Sequence, residues 1–287
     1  MTAPARDQVL AELMKIRTTR LWWPLVGGVV LVTGWSLLRN GAMHHYDLYP
    51  PLDRLPPTDR AAAVARAAAA RTPAGRTAAA ADMLTAGRLA GVLLAMLLGT
   101  LVVTNEYAHR TAVATFLTNP HRGVVVAAKL VAAAAAGALL WAASTAVALV
   151  VTPIYLRGQH IDTALLGGIP LRSVLLNLLG YTMWAAFGVG LGSLFRSQAG
   201  AVATGMTVYL GGAAAVVLAF DLVHLAYHHA WVLAAPVIAP AVASLVMVTP
   251  GRAFEHAPPQ WAGLLVMTGY VLLLGTAGVL RTRSRDI

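Results

Sequence analysis

Cysteine is missing from all 287 residues, which excludes disulfides, thiolate metal sites and cysteine nucleophiles. Charge is scarce: 11% of residues are Asp, Glu, Lys or Arg, against about 25% in a soluble domain. Lysine occurs only at positions 15 and 129. No Gly-Lys dipeptide occurs, so there is no phosphate-binding loop of the GxxxxGK[ST] kind and any energy from ATP must come from another polypeptide. HExxH is also missing. Gly190-Leu191-Gly192-Ser193 lacks the glycine that a nucleophile turn needs after its serine, and reads as small-residue helix packing. The apolar runs carry no acidic or basic residue in their middles, which argues against a proton- or sodium-coupled carrier with a buried carboxylate. No cofactor is expected.

What is present is apolar length. The composition is 58% hydrophobic, and several runs reach the ~20 residues that a helix needs to cross a bilayer. Spans are expected at residues 21–38, 84–104, within 124–151, 171–195, 199–220 and 261–280. Trp22 and Trp23 suit the headgroup level at the start of the first. Acidic Asp7 and Glu12 precede that run and no small-residue cleavage site follows it, so a secretory signal is not expected. Instead, residues 1–20 read as an interfacial helix. Val9, Leu10, Leu13 and Met14 share one face, and Asp7, Glu12, Lys15 and Arg17 lie mostly on the other.

Two segments interrupt the spans. Residues 39–83 form a long polar loop in which Thr58 caps an alanine-rich helix running to Arg71, broken at Pro73 to Gly75. Residues 221–260 contain an apolar stretch, 230–248, broken by Pro236 and Pro240 and read as re-entrant. The expected fold is an all-α membrane protein: six transmembrane helices forming one domain at 21–287, an N-terminal interfacial helix, and a re-entrant segment before the last span.

The net charge of +10 is spread between and beside the spans and bears on topology, not on nucleic acid. With both termini cytoplasmic, Lys15, Arg17, Arg110, Arg122, Lys129, Arg196 and Arg281 fall inside. The arginine-rich loop 39–83 departs from that rule and is read as extracytoplasmic, because long segments translocate regardless of charge. Arginine and alanine are abundant, a bias that suggests a GC-rich bacterial genome, so the expected location is a bacterial cell membrane. Asp221, His224 and His228, with His229 beside them, have the spacing of a helical metal face. Their place at an outer span end favours ordinary interfacial residues, and no metal is expected.

The segment after the second span is the most informative. Glu106 and Arg110 are four apart, in the favourable order for a helical ion pair. His109, Val113, Phe116 and Leu117 share a face, Asn119-Pro120 stops the helix, and Lys129 is placed to snorkel at the start of the next span. Glu106, Thr111, Leu117, Pro120, Arg122 and Ala128-Lys129 together resemble the type-2 permeases of the ABC transporter superfamily, the drug, lipid and polysaccharide exporter group. Arg110 departs from that pattern, in which a glycine commonly precedes the threonine.

The resemblance implies that residues 105–123 are a coupling helix docking on a separate ATP-binding-cassette ATPase. Glu106, Tyr107, His109, Arg110, Thr111, Phe116, Leu117, Pro120, Arg122 and Lys129 would form that contact, with Arg196 in a second, smaller one. It further implies a non-catalytic permease subunit of an exporter, working as a homodimer or with a second permease, in contact with lipid and with no nucleic acid. The apolar spans favour a hydrophobic or amphipathic cargo. The competing readings are a stand-alone membrane binding or immunity protein, and a metalloenzyme built on His224 and His228.

Overall fold

An apolar segment in lipid must satisfy its backbone hydrogen bonds internally, and the helix does so within one segment. The computed structural model follows that rule. It describes residues 3–20, 22–109, 122–161, 165, 167–195, 197–251, 253–254 and 256–283, all helix or connection with no strand among them. Helix α1 (Ala3–Thr18) leads into α2 (Trp22–Leu48). Two shorter helices, α3 (Pro57–Arg71) and α4 (Pro73–Leu84), precede a 3₁₀ turn at Ala86–Arg88 and α5 (Ala90–Ala108). Then come α6 (Arg122–Gly158), α7 (Gly168–Leu194) and α8 (Gln198–Met206), the last continuing through a π turn into α9 (Ala213–Tyr227). A 3₁₀ segment (Ala230–Ile238), α10 (Pro240–Val248) and α11 (Gln260–Arg283) complete the chain. Six of these helical stretches are long and apolar enough to cross a membrane: α2, α5, α6, α7, α8–α9 and α11.

Helix α7 is the hub. Tyr181, Trp184 and Phe187 are buried there against Val92, Met96, Ala133, Ala136, Leu140 and Met267 from α5, α6 and α11. Without a hydrophobic drive between helices in lipid, close backbone contact does much of the holding. A side chain at Gly188 would collide with the Met96 carbonyl, and one at Gly99 with the Ala185 carbonyl. Gly190 and Gly192 are pressed in the same way against Leu274 and Thr100, so the Gly190–Ser193 run is packing surface, as its composition indicates. Buried polar links add register: Thr33 and Ser144 share a hydrogen bond of 2.8 Å between α2 and α6, and Tyr181 donates to the Gly87 carbonyl.

Several boundaries differ from those read in the sequence. Helix α2 does not end at residue 38 but runs 27 residues to Leu48, roughly 40 Å at 1.5 Å per residue, well beyond a hydrocarbon core of about 30 Å. Its polar last turns are supported from the side, by Tyr155 donating to the Gly41 carbonyl at 2.7 Å and by Leu48 packing with Ala80, Leu156 and Ile161. Pro153 does not start a loop; it sits inside α6, which continues to Gly158, as neighbouring helices allow in membrane proteins.

Thr58 does not cap α3. The N-cap is Pro56, Pro57 takes the first helical position, and the Thr58 hydroxyl turns to Asp59, because a proline there has no N–H that needs a partner. The hinge between α3 and α4 is Thr72, whose hydroxyl caps α4 by accepting from the Gly75 N–H. The 3₁₀ segment Ala230–Ile238 and α10 bend by 105° at Ala239, matching the interruption expected from Pro236 and Pro240.

A buried charge ring where the first helix meets the spans

Helix α1 buries one member of its charged face and exposes part of its apolar face: Val9 and Leu13 are half-buried, while Asp7 and Arg17 are exposed. Leu10 and Met14 are exposed, whereas Glu12 is 1% exposed. Glu12 turns inwards, to charged partners.

Those partners form a closed ring of four charges. Lys15 Nζ donates to Glu12 Oε1 at 2.8 Å and to Glu106 Oε1 at 2.6 Å. Lys129 Nζ donates to Glu12 Oε2 at 2.9 Å and to Glu106 Oε1 at 2.8 Å. Two carboxylates and two ammoniums balance, and each acid touches both bases. Gln8 Nε2 adds a long contact to Glu12 at 3.5 Å. Burial pushes the Lys15 ammonium down, but its bonds to Glu106 and Glu12 outweigh that and raise it above its ordinary value.

The ring joins α1, the last turn of α5 and the first turns of α6. Lys129 is therefore not a surface anchor: its side chain is 4% exposed, because the two carboxylates hold it inside. Glu106 lies one turn inside the end of α5, mostly buried. His109 caps that helix and faces, with Lys15 and Glu106, a cavity of about 300 Å³ whose other wall is Trp22, Leu25 and Leu98. Tyr107 is half-buried against the main core. Arg122 is the first residue of α6. Arg110, Thr111, Phe116, Leu117, Pro120 and Arg196 lie outside the described residues. The ring members from α1, Glu12 and Lys15, were not among the sequence-derived site residues. The available signal was that Lys15 and Lys129 are the chain's two lysines and that Glu12 sits three residues before one of them.

A second polar cluster lies around Asp82 on α4. His44 Nε2 is 3.1 Å from Asp82 Oδ2, and Arg88 donates to Asp82 Oδ1 at 2.6 Å and to the Thr85 hydroxyl at 2.9 Å. Burial would raise the Asp82 carboxyl, but the hydrogen bond from His44 and the charge of Arg88 overcome it and hold the group at about 2. The folded state thus favours the ionised form. Its contribution to stability is complete above the ordinary value of 3.8 and is lost as pH falls through about 2. The thermal midpoint of the wild type should exceed that of Asp82→Asn at pH 5, and thermal scans should show the gap closing between about pH 4 and pH 2. A gap that stays constant down to pH 2 would show that Asp82 contributes nothing as an anion.

Helix α9 ends at Tyr227, and His228 is left-handed with φ of 53°. The helical face proposed for Asp221, His224 and His228 is therefore cut off before its last member. The His224 ring sits 3.1 Å from the His229 carbonyl, and no group of three His, Asp or Glu side chains converges among the described residues.

No curated protein matches the chain. A family model does: the one described as ABC-2 family transporter protein matches residues 18–286, from the end of α1 through all six spans and the bent pair. With that match over nearly its whole length, the chain belongs to the ABC-2 family of transporter proteins, a multi-pass membrane permease.

Proposed function

We propose that the chain is the membrane-spanning subunit of an ATP-driven exporter in a bacterial cell membrane, driven by a separate ATP-binding-cassette ATPase that docks on residues 105–123. The observation that supports this reading is the charge ring. It fastens α1 to α5 and α6 at the end of the bundle from which residues 109–122 depart. A push on that connection would be passed to three helices together. Glu106, Tyr107, His109, Arg110, Thr111, Phe116, Leu117, Pro120, Arg122 and Lys129 are the residues assigned to coupling, with the ring members acting from behind the contact and Arg196 forming a smaller one.

Residues 1–20 lie at the cytoplasmic interface, residues 39–83 outside, and residues 221–260 re-enter from the outside. The cargo is hydrophobic or amphipathic, and the subunit itself carries out no covalent chemistry. Six spans make half a pathway, so a second copy or a second permease is required. The α8–α9 span suits that contact, since its most apolar stretch is 6% buried within the chain.

The deciding experiment is reconstitution with the ATPase encoded beside the gene: co-purification and cargo-stimulated ATP hydrolysis are expected. A purified chain that binds cargo but recruits no ATPase would support the stand-alone binding protein instead. Orientation has its own test. Single cysteines at Ala65 and Ser284 are treated with an impermeant thiol reagent on intact cells. Labelling is expected at position 65 and not at 284; the reverse would invert the topology and make the arginine-rich loop cytoplasmic.

A further inference from the structure

Beneath the C-terminal half of α1 lies a second cavity, of about 370 Å³, between α1, α2, α5 and α6. Leu13, Val26, Leu98, Ala136 and Leu140 wall it, and Arg17 is the only ionisable residue among its described lining. Arg17 is exposed and forms no ion pair among the described residues. Leu139, also in the lining, is 68% exposed, so the cavity opens sideways on the outside of the helix bundle. Its size is at the lower end of the roughly 300–1,000 Å³ typical of small-molecule sites.

We infer that this cavity holds an acyl chain of an anionic phospholipid, with the lipid phosphate on Arg17. The walls are hydrocarbon, which asks for an apolar ligand. The unpaired guanidinium at the rim asks for an anion, and its planar fork matches phosphate oxygens. A molecule with both parts in that order, lying where acyl chains already are, is a membrane lipid. Trp22 lines the cavity, is stacked on Trp23, and donates its indole N–H to the Arg17 carbonyl at 3.2 Å, so the turn carrying the guanidinium is held at the start of the first span. The occupant would brace α1 against the spans beside the neighbouring cavity that Lys15 and Glu106 line, with which it shares Ile16, Trp22 and Leu98. This proposal rests only on the chain being a membrane protein and stands whether or not an ATPase docks.

The test uses the purified full-length chain in detergent, titrated with phosphatidylglycerol or phosphatidylcholine of identical acyl chains, with bound lipid counted by native mass spectrometry. The wild type should prefer phosphatidylglycerol by about fivefold, the scale of one basic residue acting on an anionic headgroup. Arg17→Gln, an exposed change that leaves the core untouched, should abolish the preference while leaving chain-driven binding of both lipids. Ala136→Phe should lower occupancy by both. Glycerol 3-phosphate, a headgroup without chains, should not displace the bound lipid. Equal binding of the two lipids by the wild type, an unchanged preference in Arg17→Gln, or displacement by glycerol 3-phosphate would each overturn the proposal.

Discussion

Lys129→Ala is expected to be among the most damaging single substitutions in this protein. The change leaves Glu12, 1% exposed, and Glu106, mostly buried, with Lys15 as their remaining partner in the ring. Breaking a buried ion pair by removing one side costs about 3–5 kcal/mol; here both carboxylates are left sharing Lys15, so a loss toward the lower end of that range is expected. Against a total stability of roughly 5–15 kcal/mol for a folded protein, that is enough to deplete the native state. The readouts are yield of monodisperse protein and the thermal midpoint in detergent.

Lys15→Ala should be milder. Its side chain is 44% exposed, and water can take its place. The double variant Glu12→Met with Lys129→Met removes one charge of each sign and leaves the 2.6 Å pair of Lys15 and Glu106 in place. It should recover most of the loss, since exchanging a buried pair for apolar atoms is often neutral. A Lys129→Ala protein with an unchanged midpoint would mean that the ring holds nothing together.

The second large effect concerns the partner. Glu106 is a poor probe of ATPase docking, because its removal strikes the ring as well. Phe116 and Leu117 are better probes: helical spacing in the sequence puts them on one apolar face, and under the proposed docking they would be the aromatic and aliphatic anchors in which an interface concentrates its energy. Phe116→Asp is expected to weaken ATPase co-purification at least 30-fold or so, the equivalent of a hot spot of about 2 kcal/mol. Expression and thermal midpoint should stay at the wild-type level, and cargo-stimulated ATP hydrolysis should vanish. Retention of the ATPase by both Phe116→Asp and Leu117→Asp would remove residues 105–123 from the docking surface and leave the ring as a purely internal brace.

The six spans were legible because each is a long apolar run, and hydropathy in lipid is a local property. Their ends were less so. The last turns of α2 carry Arg39, Asn40, His44, His45 and Asp47, which read as loop. They remain helical because partners distant in sequence support them: His44 meets Asp82, on a helix 38 residues away, and the Gly41 carbonyl accepts from Tyr155.

The ring shows the same limit more sharply. Local spacing points from Glu106 to Arg110, four residues on, whereas among the described residues Glu106 pairs 91 residues upstream, with Lys15, and 23 downstream, with Lys129. Helical periodicity groups Glu12 with Asp7, Lys15 and Arg17, but it cannot say that Glu12 alone of the four is buried, because that depends on Lys129, 117 residues away. By contrast, the break in residues 230–248 was readable, because Pro236 and Pro240 act on their own backbone.

Helix α6 links Lys129 in the ring to Ala148, which packs with Leu37, Met83 and Ala86 far along the bundle. Nothing interrupts the helix between them, since Pro153 lies beyond, and the separation is about 28 Å at 1.5 Å per residue. A stiff rod of that length is a lever: a tilt of about 5° about its Lys129 end displaces the Ala148 end by roughly 2.5 Å along the same 28 Å arm. That exceeds the slack of a close-packed contact, so small angular movements at one membrane face must be answered by repacking near the other.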